Sequence, residues 1–458
     1  MLKKLRIQNF KIWEDTEEIE LAPLTLFFGT NSSGKSSIGQ FLMMLKQTVN
    51  SYDKTIVLNL GGVNDSVQLG SFKEMISHHD VSRKLDFSYS WELNDKILFK
   101  DTLNKISYTS DSLKFEGSIF EQNNRLQVDF FKYSVFLGES FKFSISAQKD
   151  GKSGGKYKYT ANGYDLKRYK GRVWDPTSLI QFYGMPNELN IYYQNISFAP
   201  TFNLFQEKLF KSISYLGPMR NRPDRFYIWQ GEAPDSVGYY GEKTVNALLA
   251  SSKEKSINIS KRSKKYTIEE MVAYQLERMG LIEDFKVEQI AKGRREYEIK
   301  VKTSKTNDWV TLADVGFGVS QVLPVLTQCF YAPNNSIILI EQPEIHLHPC
   351  AQSILADVMI DVVKSRKNNE DRNIQLIIET HSEHFLRRIQ RRIAEQTIDD
   401  NLIKAYFASN RGKKGKLEKL QIDLYGNIEN WPENFFGDEM GDVVAHSKAV
   451  LKRRKDEK

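Results

Sequence analysis

Residues 29–36, Gly-Thr-Asn-Ser-Ser-Gly-Lys-Ser, carry the spacing Gly-x-x-x-x-Gly-Lys-Ser that a bound triphosphate requires. Such a ligand brings several negative charges, so the loop that holds it must turn its backbone N–H groups inward around them. Gly29 and Gly34 permit the necessary backbone angles, and Lys35 sets a positive charge toward the β- and γ-phosphates. Ser36 offers a hydroxyl to Mg2+, while Thr30, Asn31, Ser32, Ser33 and Ser37 complete the set expected around the nucleotide. The loop must be positioned by the elements on either side. The apolar run Leu24-Thr-Leu-Phe-Phe28 reads as the strand that enters it. Ile38, Phe41, Leu42, Leu45 and Val49 recur at the spacing of an amphipathic helix, whose positive N-terminus points at the phosphates. ATP and Mg2+ are the expected cofactors.

Three later stretches carry groups able to act on such a ligand. Ser336-Ile-Ile-Leu-Ile-Glu-Gln-Pro-Glu344 holds four successive apolar residues, the pattern of a buried parallel strand. Glu341 ends it at the edge where open α/β sheets bind ligands, placed to hold Mg2+ directly or through water. Ile374-Gln-Leu-Ile-Ile-Glu-Thr-His-Ser-Glu-His384 is a second such strand, with His381 just past its tip as a hydrogen-bond partner for a γ-phosphate. Thr311-Leu-Ala-Asp-Val-Gly-Phe-Gly-Val-Ser-Gln-Val-Leu-Pro324 sets Gly316, Gly318, Ser320 and Gln321 at the start of an apolar helix. That start reads either as an anion-binding helix end or as a simply capped helix. Gln68, ahead of a turn, is a candidate ligand for Mg2+ or water, or else a plain surface residue.

The expected fold class is α/β: a P-loop NTPase head with a β-rich insertion. Residues 2–28 alternate as strands leading into the loop. Residues 82–210 change to period-two alternation of aromatic and β-branched residues, as in Leu85-Asp-Phe-Ser-Tyr-Ser-Trp91 and Phe141-Lys-Phe-Ser-Ile-Ser146. Sustained heptads are missing, which predicts no long coiled coil. Tyr215-Leu-Gly-Pro-Met-Arg-Asn-Arg-Pro223 marks the return to the head. There Arg220, Arg222 and Arg225 either contact phosphate or nucleic acid or bridge loops through carboxylates. The basic, Ser-rich stretch 252–265 reads as an exposed linker, 267–280 as a helix ended by Gly280, and Phe285 to Val301 as a hairpin. The chain accordingly divides at 1–81, 82–210, 211–400 and 401–458.

Composition excludes several classes. Among 458 residues, 40% are hydrophobic and 27% charged, as in soluble globular proteins, and the +7 net charge permits a DNA contact without requiring one. Cys329 and Cys350 lack CxxC spacing, which argues against a disulfide framework or a thiolate zinc site. No signal-peptide or membrane-spanning run occurs, making the cytoplasm the expected location, with no membrane partner. His346, His348, His381 and His384 fall in two short motifs, so a catalytic zinc site is one alternative to the nucleotide site. Asp438, Glu439 and Asp442 are candidates for a Mg2+-dependent nuclease reaction. Arg387 with Arg391, and Arg388 with Arg392, share helical faces and would grip phosphates or pair with nearby acids.

The order of phosphate loop, Gly-Phe-Gly-Val-Ser-Gln, Glu-Gln-Pro-Glu-Ile-His-Leu-His-Pro and Glu-Thr-His-Ser-Glu-His resembles that of ABC-type AAA ATPases. The likeness is to the overcoming-lysogenization-defect family and, more distantly, to SMC heads. The stretch from Tyr425 to Asp442, containing Asn-Trp-Pro-Glu-Asn-Phe-Phe-Gly-Asp, is similar to an uncharacterised C-terminal module of predicted bacterial ATPases. The likeness covers residues 1–80 and 211–450. It implies an ATP-hydrolysing homodimer or higher homo-oligomer, with each ATP held between Lys35, Ser36, Glu341 and His381 of one copy and the Gly318–Ser320 segment of the other. It also implies a nucleotide switch acting on a separately encoded effector, a nuclease or other toxin, in defence against phage or mobile DNA. The sequence departs from the family pattern at Glu341-Gln342, where ABC heads place Asp-Glu. A neutral Gln is no practical general base. Either Glu344 takes that role, or Gln342 merely orients the water and hydrolysis is slow, or the chain is a non-hydrolysing ATP-binding scaffold.

Overall fold

The structure is a computed structural model. It describes every residue except 64, 102, 151–155, 172–178, 252, 304–307, 412–413, 433–434, 436–443, 451–452, 454–458 and the side chain of Arg411. Asp438, Glu439, Asp442 and Lys152 therefore lie outside the described residues.

The strand Leu24–Gly29 is buried along its whole length. Successive side chains point to opposite faces, so Leu24, Leu26 and Phe28 enter one core and Phe27 the other. Ile337–Glu341 repeats the division, with Ile337 and Leu339 opposed to Ile338 and Ile340. In Gln375–Glu379, Ile377 opposes Leu376 and Ile378. A strand apolar on both faces is stable only between two covering layers, and these three are neighbours in the middle of a six-stranded sheet. Its order is Ile213–Leu216, Ile337–Glu341, Gln375–Glu379, Leu24–Gly29, Ile403–Arg411 and Lys414–Leu420. All neighbours are parallel except the last pair. The α/β expectation holds. The sheet continues past residue 400, since Ile403–Arg411 lies beside the phosphate-loop strand with Ala408 opposite Gly29.

One covering layer contains the helix Lys35–Asn50, in which Ile38, Phe41, Leu42, Leu45 and Val49 are all buried as their spacing predicts. The other contains the helices Phe317–Tyr331, Pro349–Lys364 and Glu383–Ala394. The longest described helices have 16 residues, so no long coiled coil is present among the described residues. None of the described helices is long and apolar enough to cross a membrane.

The β-rich segment is built onto the head's first strand. Leu85–Asp101 pairs antiparallel with Leu2–Phe10, setting Leu5 opposite Tyr89 and Ile7 opposite Phe87. Ile106–Gln122, Arg125–Leu137, Ser140–Lys149 and Tyr157–Asn162 follow in sequence order, giving an eight-stranded antiparallel sheet. The helix Ala199–Lys211 closes over its apolar face, with Phe202 stacked on Tyr133 and Gln206 accepting a 2.9 Å hydrogen bond from the Tyr89 hydroxyl.

Smaller expectations meet mixed outcomes. The helix Ile268–Arg278 is opened by a Thr267 capping box and followed by Gly280 at φ +68°, while Asp284–Gln289 and Glu296–Lys302 form the hairpin. The stretch read as an exposed linker is not one throughout: Ile257 and Asn258 are buried in a short strand paired with Arg366–Lys367. Its hydrophobic Ile257 decides this against the basic residues around it. Arg388 and Arg392 both pair with the buried Asp357, and Arg387 and Arg391 pair with Glu383 and Glu395 on their own helix, so the acid-pairing alternative holds there.

Candidate functional site

The phosphate loop is locked by packing that leaves no room for a side chain at its glycines. At Gly29, φ is +144° and a Cβ would sit 2.0 Å from the Ala408 carbonyl oxygen of the adjacent strand. At Gly34, φ is +89° and a Cβ would meet Ile12 Cγ2 at 2.4 Å. Trp13, fully buried, donates its indole N–H to Ser37 Oγ at 2.7 Å and so fixes the start of the helix. Ser37 is thus engaged in holding the loop. Ser33 is also buried, whereas Thr30, Asn31 and Ser32 are exposed. The Lys35 ammonium, itself buried, donates to the carbonyl oxygens of Gly29 at 3.1 Å and Thr30 at 2.7 Å. Burial draws its pKa below the usual lysine value, against the pull of Glu379 and Glu341.

Two carboxylates, Glu379 and Glu341, act on this ammonium. Glu341 and Glu379 end adjacent parallel strands in direct register. Glu341 accepts a hydrogen bond from the Tyr215 hydroxyl, and Arg220 donates to the backbone oxygens of Glu341 at 2.8 Å and Gln342 at 3.3 Å. Burial raises the pKa of Glu341, partly offset by Tyr215 and Lys35, and burial likewise raises that of Glu344. Glu379 is pushed up to about 7, first by burial and then by the neighbouring Glu341 charge. Arg220 therefore supports the Glu341–Gln342 backbone and is itself held to about 10 by burial.

A cavity of about 390 Å³ opens at the loop, walled by residues 31–37 together with Lys11, Gln342, Glu379 and His381. Gln342 holds a left-handed backbone at φ +45°, with its backbone N–H donating to the Glu379 backbone carbonyl at 2.7 Å. The His381 N–H donates to Glu344 Oε1 at 2.7 Å, and burial with the nearby Lys35 charge lowers the imidazole pKa. His381, Gln342 and the loop are brought together as expected. Glu344 does not line the cavity: its Oε1 accepts from the backbone N–H of His381. Gln68 is not there either, because its amide donates to the Gly62 and Val63 carbonyls of its own turn.

The Gly316–Gln321 segment does not line this cavity. Ser320 is 5% exposed, donates to the Phe317 oxygen at 2.9 Å and lines a separate cavity of about 120 Å³ beside Arg222 and Glu242. Gln321 is buried as well. Gly316 and Phe317 are the exposed part of this helix start. The histidines do not assemble into a metal site: His348 caps the helix Pro349–Lys364, and His346 faces the Phe317 ring. Among the described residues no group of three or more His, Cys, Asp or Glu is placed to hold a metal. Magnesium carried by a nucleotide needs fewer protein ligands, usually one or two carboxylates plus phosphate oxygens. The donors here fit it: the Ser36 hydroxyl lies near Glu379, whose Oε2 is buried without a hydrogen-bond partner.

Glu379, Lys11, Tyr215 and Trp13 were not singled out as site residues from the sequence. Glu379 had a usable signal, since it ends its apolar strand as Glu341 ends the strand before it. Its raised pKa gives a direct expectation. A carboxylate protonated more readily in the folded than the unfolded chain destabilises the fold as pH rises from about 4.5 through about 7. Glu379→Gln therefore stabilises the nucleotide-free protein at pH 8 by about 2–3 kcal/mol and leaves it unchanged near pH 4.5. Urea unfolding at the two pH values measures the difference.

A loop of this geometry between a buried parallel strand and a helix, with acidic and histidine side chains from the next two strands, defines a P-loop nucleotide-binding head. A family model described as the AAA ATPase domain matches residues 1–134 and 203–386, more than half of the chain, and the chain belongs to that family. The match enters the β-rich segment, for which the sequence alone suggested no relative. A second model, for a family of unknown function, matches residues 398–445. No curated protein matches the chain. Among solved structures, an SMC head bound to the C-winged-helix domain of ScpA is 12% identical with a TM-score of 0.42, covering 92% of this chain and 98% of that one. The SMC head domain from Thermotoga maritima is 11% identical with a TM-score of 0.40, covering 92% and 99%. An SMC head with an extended coiled coil, bound to a ScpA domain derived from Pyrococcus furiosus, is 10% identical with a TM-score of 0.41, covering 92% and 96%.

Proposed function

We propose that the chain binds ATP with Mg2+ in the phosphate-loop cavity, hydrolyses it slowly, and uses the nucleotide to join two copies into a switch. The observation that carries this is the delivery of Lys35, Gln342, Glu379 and His381 to one cavity by three adjacent parallel strands and the loops that follow them. Gly29 to Ser37 cradle the phosphates, Lys35 neutralises them, and Ser36 with the Glu341–Glu379 pair faces the metal. Mg2+, when bound, supplies charge neutralisation at the β- and γ-phosphates. The exposed His381, its imidazole pKa drawn down, presents a hydrogen-bonding ring toward the γ-phosphate, and its backbone is held by Glu344. Gln342 orients water without removing its proton, which keeps turnover low.

The proposed division of the chain is a head split between 1–81 and 211–400, a β-rich extension at 82–210, and a module at 401–458 whose first two strands extend the head's sheet. A separately encoded effector in the cytoplasm, and a role in defence against phage or mobile DNA, rest on the family resemblance. Gln342→Glu tests the slow-turnover element, because an added carboxylate at that place raises phosphate release by about 10²-fold if a general base is what is missing. If neither wild type nor variant releases phosphate, the non-hydrolysing scaffold is the better reading, and Gln342 is the observation that favours it.

The exposed Gly316–Phe317 helix start is the surface proposed to face the nucleotide of a second copy. Phe317, 56% exposed, makes a clean probe. Phe317→Glu sets a negative charge against the partner's triphosphate and should abolish ATP-induced dimers in sedimentation velocity while leaving ATP binding to single chains intact. Dimers that persist unchanged would remove this surface from the account.

A further inference from the structure

We infer that Glu379, rather than Glu341, is the carboxylate that meets the Mg2+ of the bound nucleotide beside Ser36. This rests on the reading that the cavity takes a Mg2+–nucleotide complex. Glu379 lines the cavity, and Glu341 is not among its walls. The carboxylate of Glu341 is already engaged by the Tyr215 hydroxyl, and Arg220 grips the backbone on which it stands. Glu379 has Lys35 Nζ at 4.0 Å from Oε1 and the Ser36 hydroxyl close by, yet its Oε2 is buried and bonded to nothing. An unpartnered carboxylate oxygen at such a place carries the full cost of lost hydration. A hard cation arriving with the phosphates is the partner that supplies what the oxygen lacks, and Mg2+ takes oxygen ligands of this type.

The two strands make the exchange of roles possible. Glu341 and Glu379 are cross-strand neighbours, so both acids stand at the same edge of the sheet, with the Glu379 strand the one adjacent to Leu24–Gly29. The strand that carries Glu379 lies between that of Glu341 and the phosphate-loop strand, and with the Glu341 carboxylate engaged by the Tyr215 hydroxyl, Glu379 is the acid in ion-pair range of Lys35. Glu341 then acts as a positioning residue that holds negative charge behind the metal ligand.

Equilibrium binding of a fluorescent ADP analogue, measured with Mg2+ and with EDTA, separates the possibilities. In wild type, Mg2+ should strengthen binding. Glu379→Gln should lose that strengthening by about 10-fold or more while binding in EDTA is unchanged or tighter. Glu341→Gln should keep most of it, and Glu379→Asp, which retains the charge on a shorter arm, should lose part. Mn2+ in place of Mg2+, followed by electron paramagnetic resonance on the nucleotide complex, should show weakened metal binding only in the Glu379 variants. Full retention of the Mg2+ effect in Glu379→Gln, with its loss in Glu341→Gln, would overturn the inference. Failure of wild type to bind the analogue under either condition would overturn the nucleotide-site reading itself.

Discussion

Lys35→Ala lowers phosphate release from ATP by about 10²-fold or more. The side chain is buried, and its ammonium is held on the carbonyls of Gly29 and Thr30 in the middle of the loop. A positive charge fixed in that place needs no reorganisation to meet phosphate oxygens, so its removal takes away a preformed electrostatic contact rather than a flexible one. The same substitution also removes the cation that balances Glu379 and Glu341. Nucleotide entry then has to overcome two uncompensated acids, and affinity falls along with turnover. A coupled phosphate-release assay on wild type and variant measures the loss.

Gly29→Ala is expected to cost more in stability than any other single methyl added to the site. Its Cβ would lie 2.0 Å from the Ala408 oxygen, which is backbone of a neighbouring strand and cannot turn aside, and φ at +144° is itself unfavourable for alanine. Relief requires the strands Leu24–Gly29 and Ile403–Arg411 to part at the end that carries the loop. Loss of about 3 kcal/mol or more follows, together with loss of nucleotide binding. A drop in the urea midpoint, with the parallel-sheet strands of the head losing amide-exchange protection first, is the expected result.

Local patterns made much of this site legible before the fold was known. The phosphate loop, the buried strands ending at Glu341 and before His381, and the helix through Phe41 and Leu45 each lie within a single stretch of chain. Their side-chain spacing states their geometry directly. What escaped notice arises between stretches distant in sequence. Glu379 matters because parallel pairing places it opposite Glu341, and Tyr215 matters because its strand adds to the far side of the Glu341 strand. No short motif records either pairing. The joining of Leu85–Asp101 to Leu2–Phe10 is likewise a long-range register, invisible in the alternation of either strand alone. For Ser320 and Gln68 the sequence left the side-chain direction open. A residue type at a suitable spacing says nothing of side-chain direction, and both are spent on hydrogen bonds within their own turns.

The eight-stranded sheet also gives the loop a rigid floor. Ile12 and Trp13, which press against Gly34, belong to the hairpin formed with Leu2–Phe10, and that strand is shared with the β-rich segment. Movement in either the loop or the sheet is thus felt by the other through a contact with no spare volume.

Calorimetric titration of ATP with Mg2+ into the purified wild-type chain and into Gly34→Val decides whether this cavity takes a nucleotide. In the variant, the added side chain fills the space at Ile12 and Trp13 where the loop must close. The predicted result is saturable binding of one ATP per chain in wild type and none in the variant. Saturable binding of equal strength in both, or none in wild type, would contradict the assignment of this cavity to a nucleotide.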